Sequence, residues 1–311
     1  MTMYSEDPEQ TRTLRALALP ARVHDAQGAP VCRGLYVDCE TTGFDWARDE
    51  VIELALLPFT HTADGRVVEV LHGEAQTHLR DPGRPIPEAI TALTGLTDDD
   101  VRGRHIDVEA ASALVRRSDL VVAHNARFDR PFFERVLPVM RDKPWACSRL
   151  EVPWRASGTA SDALHCLLCH FGAYARDRHR ALADCEAGVW LLAQALPGTE
   201  RPALSVLLER SEAETVRLWA LHSPIEAKGV LRARGYRWMP EGRNGIPRAW
   251  WTEVAPEMVA AERAWLRAEV YGPFRPAYNT GPPAFDVALR RVSAHERWRA
   301  DPADCPVPGG R

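Results

Sequence analysis

The chain has 311 residues, a formal net charge of −4, 45% hydrophobic residues and 26% charged residues, as in an ordinary globular protein. This length allows one large domain and a smaller one. No apolar run approaches the ~18 residues of a membrane span, and the acidic first residues lack an export signal. Seven cysteines, an odd number, suit free thiols. We therefore expect a cytoplasmic protein with no membrane partner.

The first 200 residues predict an appendage followed by a large domain. Residues 1–30 are polar and form the predicted N-terminal appendage. Three short apolar runs separated by turns then predict an antiparallel meander, at residues 35–37, 51–57 and 67–71. Helical and strand-like segments follow in alternation: helix 108–116, strand 119–123, helix 127–136, strand 145–152, and helices 161–171 and 181–196. A mixed, mainly α/β sheet flanked by helices is predicted for residues 31–198.

A second domain is predicted beyond Pro197-Gly198 and Pro202. The pattern indicates a strand, a helix, a hairpin with Asn244-Gly245 in its loop, and a last helix. These elements predict a small α+β accessory domain of βαββα order at residues 205–272. A Pro/Arg-rich tail at 273–311 is expected to be loosely held.

Four acids and a histidine stand at the ends of these predicted elements. Asp38 and Glu40 end the first strand and project to the same face. Asp129 follows the fourth strand, and Asp184 lies in a late helix, five residues after His179. Singly, each has a structural explanation as a helix-terminal or surface group. Together, converging carboxylates require cations, and oxygen ligands without cysteine favour two Mg²⁺ or Mn²⁺ ions that could serve phosphodiester hydrolysis.

Three motifs in this order resemble those of the DEDDh 3′–5′ exonucleases, which include the proofreading epsilon subunit of bacterial DNA polymerase III, ribonuclease T and oligoribonuclease. The motifs are Asp38-x-Glu40-Thr-Thr-Gly, His124-Asn-Ala-x-Phe-Asp129 and His179-Arg-Ala-Leu-x-Asp184. The similarity covers about residues 33–196 and implies a ribonuclease H-like fold. It also implies roles for the five residues. Asp38 would bridge two metals, Glu40 and Asp184 would support the nucleophile-side metal, Asp129 would hold the other, and His179 would be the general base.

The resemblance further implies that the segment after Glu40 cradles the 3′-terminal nucleotide. Thr41, Thr42 and Gly43 would form this cradle. Phe44 either stacks on the last base or belongs to the core of the turn. Asn125 either contacts the substrate backbone or caps the following helix, and capping is favoured.

The accessory domain contains a basic and aromatic stretch. Arg234, Tyr236, Arg237 and Trp238 could contact single-stranded nucleic acid, because basic groups pair with phosphates and aromatic faces stack on bases. The alternative, which we favour, is that the aromatic side chains form the core of this domain.

The expected function is a metal-dependent 3′–5′ exonuclease that releases nucleoside 5′-monophosphates from single-stranded DNA ends. Short RNA is the alternative substrate, and a polymerase or repair partner is possible. A non-catalytic nucleic-acid-binding recruitment protein is a third hypothesis, but the presence of all four acids and the histidine argues against it.

Overall fold

The computed structural model describes residues 13–240, 246–273, 286–293 and 296–298. The chain divides into two compact units. The first ends at Ser211 and includes Trp298, and the second spans the described residues from Glu212 to Arg297. None of the helices within these ranges is both long and apolar enough to cross a membrane.

Strands of the first unit form one large mixed sheet and one small pair. They are β1 (Arg15–Ala16), β2 (Val31–Thr41), β3 (Val51–Thr62), β4 (Val67–Val70), β5 (Gln76–Leu79), β6 (Leu120–Ala123), β7 (Trp145–Cys147) and β8 (Ala173–Tyr174). The main sheet has the order β4-β3-β2-β6-β7, and β5 also pairs with β3. Pairing is antiparallel among β2, β3, β4 and β5, and parallel from β2 to β6 to β7. The predicted meander is therefore confirmed.

Helices of the first unit lie in the connections between these strands and after them. They are α1 (Glu88–Thr94), α2 (Asp98–Val101), α3 (Val108–Arg116), α4 (Ala126–Val136), α5 (Leu164–His170), α6 (Ala181–Ala193) and α7 (Ala203–Glu212). Local chemistry sets several ends. The Asp107 carboxylate accepts a hydrogen bond from the Ala110 amide at the start of α3. Gly95 ends α1 in the left-handed conformation, at φ 74°.

Alternate residues of β2 enter two different cores. Tyr36 packs into a core shared with α5, α6 and α7, whereas Leu35 and Val37 pack into a core shared with α3 and α4. Gly188 of α6 faces Tyr36 so closely that a Cβ atom at this position would lie 2.1 Å from the tyrosine oxygen. The absence of a side chain at Gly188 thus allows α6 to approach the strand that carries Asp38.

The predicted boundaries of the first domain require three corrections. Residues 203–212 were predicted to belong to a linker and to the second domain, but they form α7. Leu204 and Leu207 of this helix are fully buried in the core that contains Tyr36. The strand predicted at 145–152 stops at Cys147. The predicted appendage 1–30 contributes β1, which pairs in parallel with β8.

The second unit is a four-stranded antiparallel sheet with helices on one face. Its elements are β9 (Thr215–Leu221), α8 (Lys228–Ala233), β10 (Arg237–Met239), β11 (Ala249–Val254), α9 (Val259–Trp265) and β12 (Asp286–Val292). The strand order is β10-β11-β9-β12. Strand β12 comes from the region predicted as a loose tail, which corrects that prediction. The predicted hairpin pairing of β10 with β11 is confirmed, and its loop residues Asn244-Gly245 lie outside the described residues. The α/β and α+β fold class predicted from the sequence is thus the one observed.

Candidate active site

Three carboxylates from two elements meet at the carboxyl end of β2. Asp38 and Glu40 lie two residues apart on this strand, so their side chains share a face. Asp184 lies in the first turns of α6. Ligand oxygens of the three residues all lie within 4.8 Å of one another. The structure therefore brings together three of the four acids that the sequence singled out.

Asp129, the fourth acid, reaches the same strand end from the other layer. It lies in the first turn of α4 and is 2% exposed. Its Oδ1 atom accepts a hydrogen bond from the Cys39 thiol at 3.6 Å. Asp129 is not part of the group of three, but its charge contributes to the raised pKa of Asp38.

Burial and mutual repulsion make these carboxylates difficult to ionise together. The pKa of Asp38 is raised well above its ordinary value, first by burial and then by Asp129 and Asp184. Burial and the Asp184 charge raise the pKa of Glu40 to about 8. Burial likewise raises the pKa of Asp129 and of Asp184. Such a group is stabilised in its charged form by a bound cation.

The donors present fit a divalent cation. The Oδ1 atom of Asp184 is buried and has no hydrogen-bond partner, so it is available as a ligand. Asp38, Glu40 and Asp184 offer only carboxylate oxygens, the donor type that Mg²⁺ and Mn²⁺ prefer. The acidic cluster can therefore hold a divalent cation.

His179 lies two residues before the start of α6, close to Asp184. Its backbone has a φ of 59°, an uncommon left-handed conformation for a residue with a side chain. Partial burial and the nearby Arg178 lower the pKa of His179. A ligand atom of His179 and one of Asp184 lie within 4.8 Å of each other and of a ring nitrogen of His165. At neutral pH the imidazole is therefore uncharged and able to accept a proton.

Glu53 is a fifth acid at the site that the sequence motifs did not indicate. It lies directly opposite Glu40 in the β2–β3 register and is 1% exposed. The Arg180 guanidinium donates to it, with Nη2 2.8 Å from Oε1, and the Ala181 amide donates to Oε2 at 3.1 Å. A single acid inside the otherwise apolar run 51–57 was the signal that could have revealed it.

The turn after Glu40 is held by its own hydrogen bonds. The Thr41 hydroxyl donates to the Gly43 carbonyl at 2.6 Å, and the Thr42 hydroxyl donates to Asp49 at 3.2 Å. Arg84 donates to the Thr42 hydroxyl at 2.8 Å. A Cβ atom on Gly43 would lie 2.4 Å from the Asp49 carboxylate. Gly43 is therefore required by packing within the turn, whether or not a ligand approaches it.

Phe44 and Asn125 had two interpretations each. Phe44 is 83% exposed and makes an edge contact with Phe128, with ring centroids 6.2 Å apart, so it is not a core residue of the turn. Asn125 occupies the position before α4 with φ 92°, but its side chain makes no capping hydrogen bond. The favoured capping role of the Asn125 side chain is therefore wrong.

Two of the four accessory residues are part of the packing of the second unit. Tyr236 is 3% exposed, and its hydroxyl donates to Glu262 at 3.1 Å. Arg234 pairs with the same carboxylate at 3.0 Å. The burial of Tyr236 agrees with the favoured interpretation that the aromatic side chains form the core, whereas the Arg234 side chain is 43% exposed and lies at the surface. Trp238 is 47% exposed, whereas the adjacent Arg237 lies over the Trp251 ring, and neighbours in a strand face opposite ways.

The family of this protein is established at the level of its sequence. The RNase_T exonuclease family model matches residues 35–192, just over half of the chain. The chain belongs to this family, and the resemblance inferred from the motifs is confirmed.

Relatives at the sequence level carry DNA polymerase III names. A "DNA polymerase III PolC-type" protein of Bacillus subtilis is 30% identical over 166 residues, which cover 51% of this chain and 11% of that protein. A "DNA polymerase III subunit epsilon-like protein" of Rhodobacter capsulatus is 37% identical over 101 residues, 32% of this chain and 14% of that protein. The two matches thus span only 11% and 14% of the length of these relatives.

Among solved structures, an exonuclease X complex with 5′ overhanging duplex DNA has a TM-score of 0.38 and 24% identity, and covers 56% of this chain and 99% of that chain. A zinc-bound E. coli ExoI–ssDNA complex has a TM-score of 0.47 and 16% identity, and covers 85% of this chain and 63% of that chain.

Proposed function

We propose that this protein is a 3′–5′ exonuclease that hydrolyses single-stranded DNA from its 3′ end and releases nucleoside 5′-monophosphates. The observation that carries the proposal is the convergence of Asp38, Glu40 and Asp184 within 4.8 Å, with His179 beside Asp184. Membership of the exonuclease family supports it.

Each residue has a role in this proposal. Asp38, Glu40 and Asp184, with Asp129 at the same strand end, would hold two Mg²⁺ or Mn²⁺ ions. When bound, these cations would neutralise the carboxylates and the charge that develops on the phosphate. His179 accepts the proton of the attacking water, since its lowered pKa keeps the imidazole neutral at pH 7.

The substrate end would lie along the turn that follows β2. The exposed ring of Phe44 offers a face on which the terminal base can stack. The backbone of Thr41, Thr42 and Gly43 is rigid because its side chains are bonded within the turn, which would position the last nucleotide without reorganisation. The amide side chain of Asn125, which forms no cap, is available to the substrate backbone.

DNA is proposed over RNA because the relatives at 30% and 37% identity carry the name DNA polymerase III. Those names also motivate a polymerase or repair partner. The second unit, which we assign as an accessory domain, offers Trp238 as its exposed aromatic contact. A cytoplasmic location remains part of the proposal.

The test is a hydrolysis assay on matched oligonucleotides with single-stranded, recessed, mismatched and RNA 3′ ends. We expect Mg²⁺- or Mn²⁺-dependent release of mononucleotides from the 3′ end, fastest on single-stranded DNA. Asp184→Asn should abolish it, whereas Asp162→Asn, an acid paired with Arg149 on another loop, should not. Faster turnover of RNA would establish the alternative substrate. Binding of DNA without hydrolysis over hours in Mn²⁺ would favour the recruitment protein instead.

A further inference from the structure

His165 is a second histidine at the active site that the exonuclease motifs do not include. It is the second residue of α5, and its side chain is 16% exposed. Its Nε2 atom lies 3.3 Å from Oδ1 of Asp184. Its ring and that of His179 are in edge contact, with centroids 5.5 Å apart. Two imidazoles from different segments thus meet at one carboxylate.

Asp184 and His165 each have one buried polar side-chain atom without a hydrogen-bond partner. Oδ1 of Asp184 is buried without a hydrogen bond, although Nε2 of His165 is close to it, and the Asp184 side chain is only 9% exposed. Nδ1 of His165 is likewise buried without a partner. No hydrogen bond at that nitrogen therefore fixes the orientation of the His165 ring.

The spacing matches a tetrahedral transition-metal site. Ligand atoms bound at about 2.0–2.1 Å to one tetrahedral Zn²⁺ lie about 3.3 Å from each other. The His165–Asp184 pair already has this separation, and a ring nitrogen of His179 lies within 4.8 Å of both atoms. A rotation of the His179 ring that brings its nitrogen to about 3.3 Å from both atoms would complete a site of three protein ligands, with the fourth position open.

We propose that His165, His179 and Asp184 form a separate site for Zn²⁺ or a similar nitrogen-preferring cation, and that its occupation inhibits the enzyme. Two donor sets share Asp184: an oxygen set with Asp38 and Glu40, and a nitrogen-rich set with the two histidines. Imidazole donors favour Zn²⁺, whereas carboxylates alone suit Mg²⁺ and Mn²⁺. A cation in the nitrogen-rich set occupies the lone pair of His179 and removes Asp184 from the oxygen set.

The inhibitory consequence rests on the proposed function, but cation binding can be measured without nucleic acid. Zinc affinity of the full-length protein would be determined by competition with a chromophoric chelator in saturating Mg²⁺. Substitution with Co²⁺ would report the ligands by visible absorption. Mn²⁺ binding, followed by electron paramagnetic resonance, would report the oxygen set.

We expect His165→Gln to weaken zinc binding by on the order of tenfold or more and to leave Mn²⁺ affinity unchanged. His179→Gln should weaken zinc binding similarly and gives a second variant in case the first folds poorly. Glu40→Gln should show the converse, with weaker Mn²⁺ binding and unchanged zinc binding. His170→Gln, the same change at the last residue of α5, is the matched control and should alter neither.

Inhibition would be measured as the zinc concentration that halves the rate, normalised to each variant's own rate in Mg²⁺. That concentration should rise in His165→Gln and not in His170→Gln. Equal zinc affinity in wild type, His165→Gln and His179→Gln would overturn the proposal, as would loss of zinc binding in Glu40→Gln alone. A protein that binds zinc as expected but hydrolyses no substrate would refute the proposed function and leave the zinc site standing.

Discussion

The Arg180 guanidinium grips the buried carboxylate of Glu53, with Nη2 2.8 Å from Oε1 and Nε 3.2 Å from Oε2. The same carboxylate accepts a hydrogen bond from the backbone amide of Ala181, the first residue of α6. Glu53 lies on β3, opposite Glu40 of β2. Its hydrogen bonds therefore connect β3 to the start of α6, the helix that carries Asp184. His179 is the residue immediately before Arg180. We therefore propose that Glu53 positions His179, the proposed general base.

Glu53→Gln keeps the shape of the side chain but removes its charge, which weakens the interaction with the Arg180 guanidinium. We expect kcat to fall about 10- to 100-fold because His179 and Asp184 are less precisely held, while KM for single-stranded DNA changes little. The control is Glu74→Gln, which removes an Arg–Glu pair of the same type with Arg33. Steady-state kinetics separate the two parameters. A rise in KM at constant kcat would show that Glu53 acts on binding instead.

Asp38→Asn should change activity and stability in opposite directions. Loss of a ligand costs several kcal/mol of transition-state stabilisation, or a rate lower by on the order of 10³-fold. Without metal, Tm should rise by ~2–4 °C, because one of the mutually repelling carboxylates is neutralised. Asp64→Asn is the contrast, since Thr62 and Arg66 lower the pKa of that acid. Its Tm should not rise, and its hydrolysis should persist. A drop in the metal-free Tm of Asp38→Asn would contradict the argument.

The raised pKa values predict how metal-free stability depends on pH. A carboxyl whose pKa is higher in the folded state binds more protons there, so stability decreases as pH rises toward the folded pKa. For Glu40 that pKa is about 8. The lowered pKa values of His165 and His179 make stability increase as pH rises, but only below about pH 6.5, the ordinary pKa of histidine.

Between pH 7 and 9, therefore, Tm measured in a chelator should fall, and saturating Mg²⁺ should reduce the fall. Glu40→Gln should have a shallower slope than the wild-type protein. Parallel slopes for the two proteins would mean that Glu40 does not titrate in this range.

Phe44→Ala tests the exposed ring at the turn. Since the side chain is 83% exposed, the free energy of unfolding should change by less than about 0.5 kcal/mol. Loss of base stacking, worth ~1–3 kcal/mol, should raise KM for single-stranded DNA about 5- to 100-fold. Leu93→Ala, at another exposed apolar residue, should leave KM unchanged. An unchanged KM for Phe44→Ala would exclude stacking.

Leu207→Ala tests whether α7 belongs to the nuclease core. Leu207 is fully buried, so the substitution should lower the free energy of unfolding by ~2–5 kcal/mol. Its neighbour Leu208 is only partly buried, and Leu208→Ala should cost less. Denaturant unfolding measures both. If Leu207→Ala lowered the free energy of unfolding by no more than a small loss caused by Leu208→Ala, α7 would contribute little to this core.

The motifs in the sequence were sufficient for the family, the mixed sheet and the four acids with His179. These features depend on local order: strand alternation places Asp38 and Glu40 side by side, a strand-to-helix junction places Asp129, and the first turn of a late helix places Asp184. Hydrophobic periodicity likewise indicated β9 and the β10–β11 hairpin. Such signals survive in a linear sequence because they extend over only a few residues.

Contacts between distant segments were decided by the tertiary structure alone. Glu53 and Arg180 are 127 residues apart, and nothing in the sequence pairs them. The approach of His165 to Asp184 and the packing of α7 depend on which faces meet in the folded chain. Side-chain environments of this kind arise from three-dimensional packing, which no local pattern encodes. The carboxylates could thus be identified from the sequence, whereas the groups that position them could not.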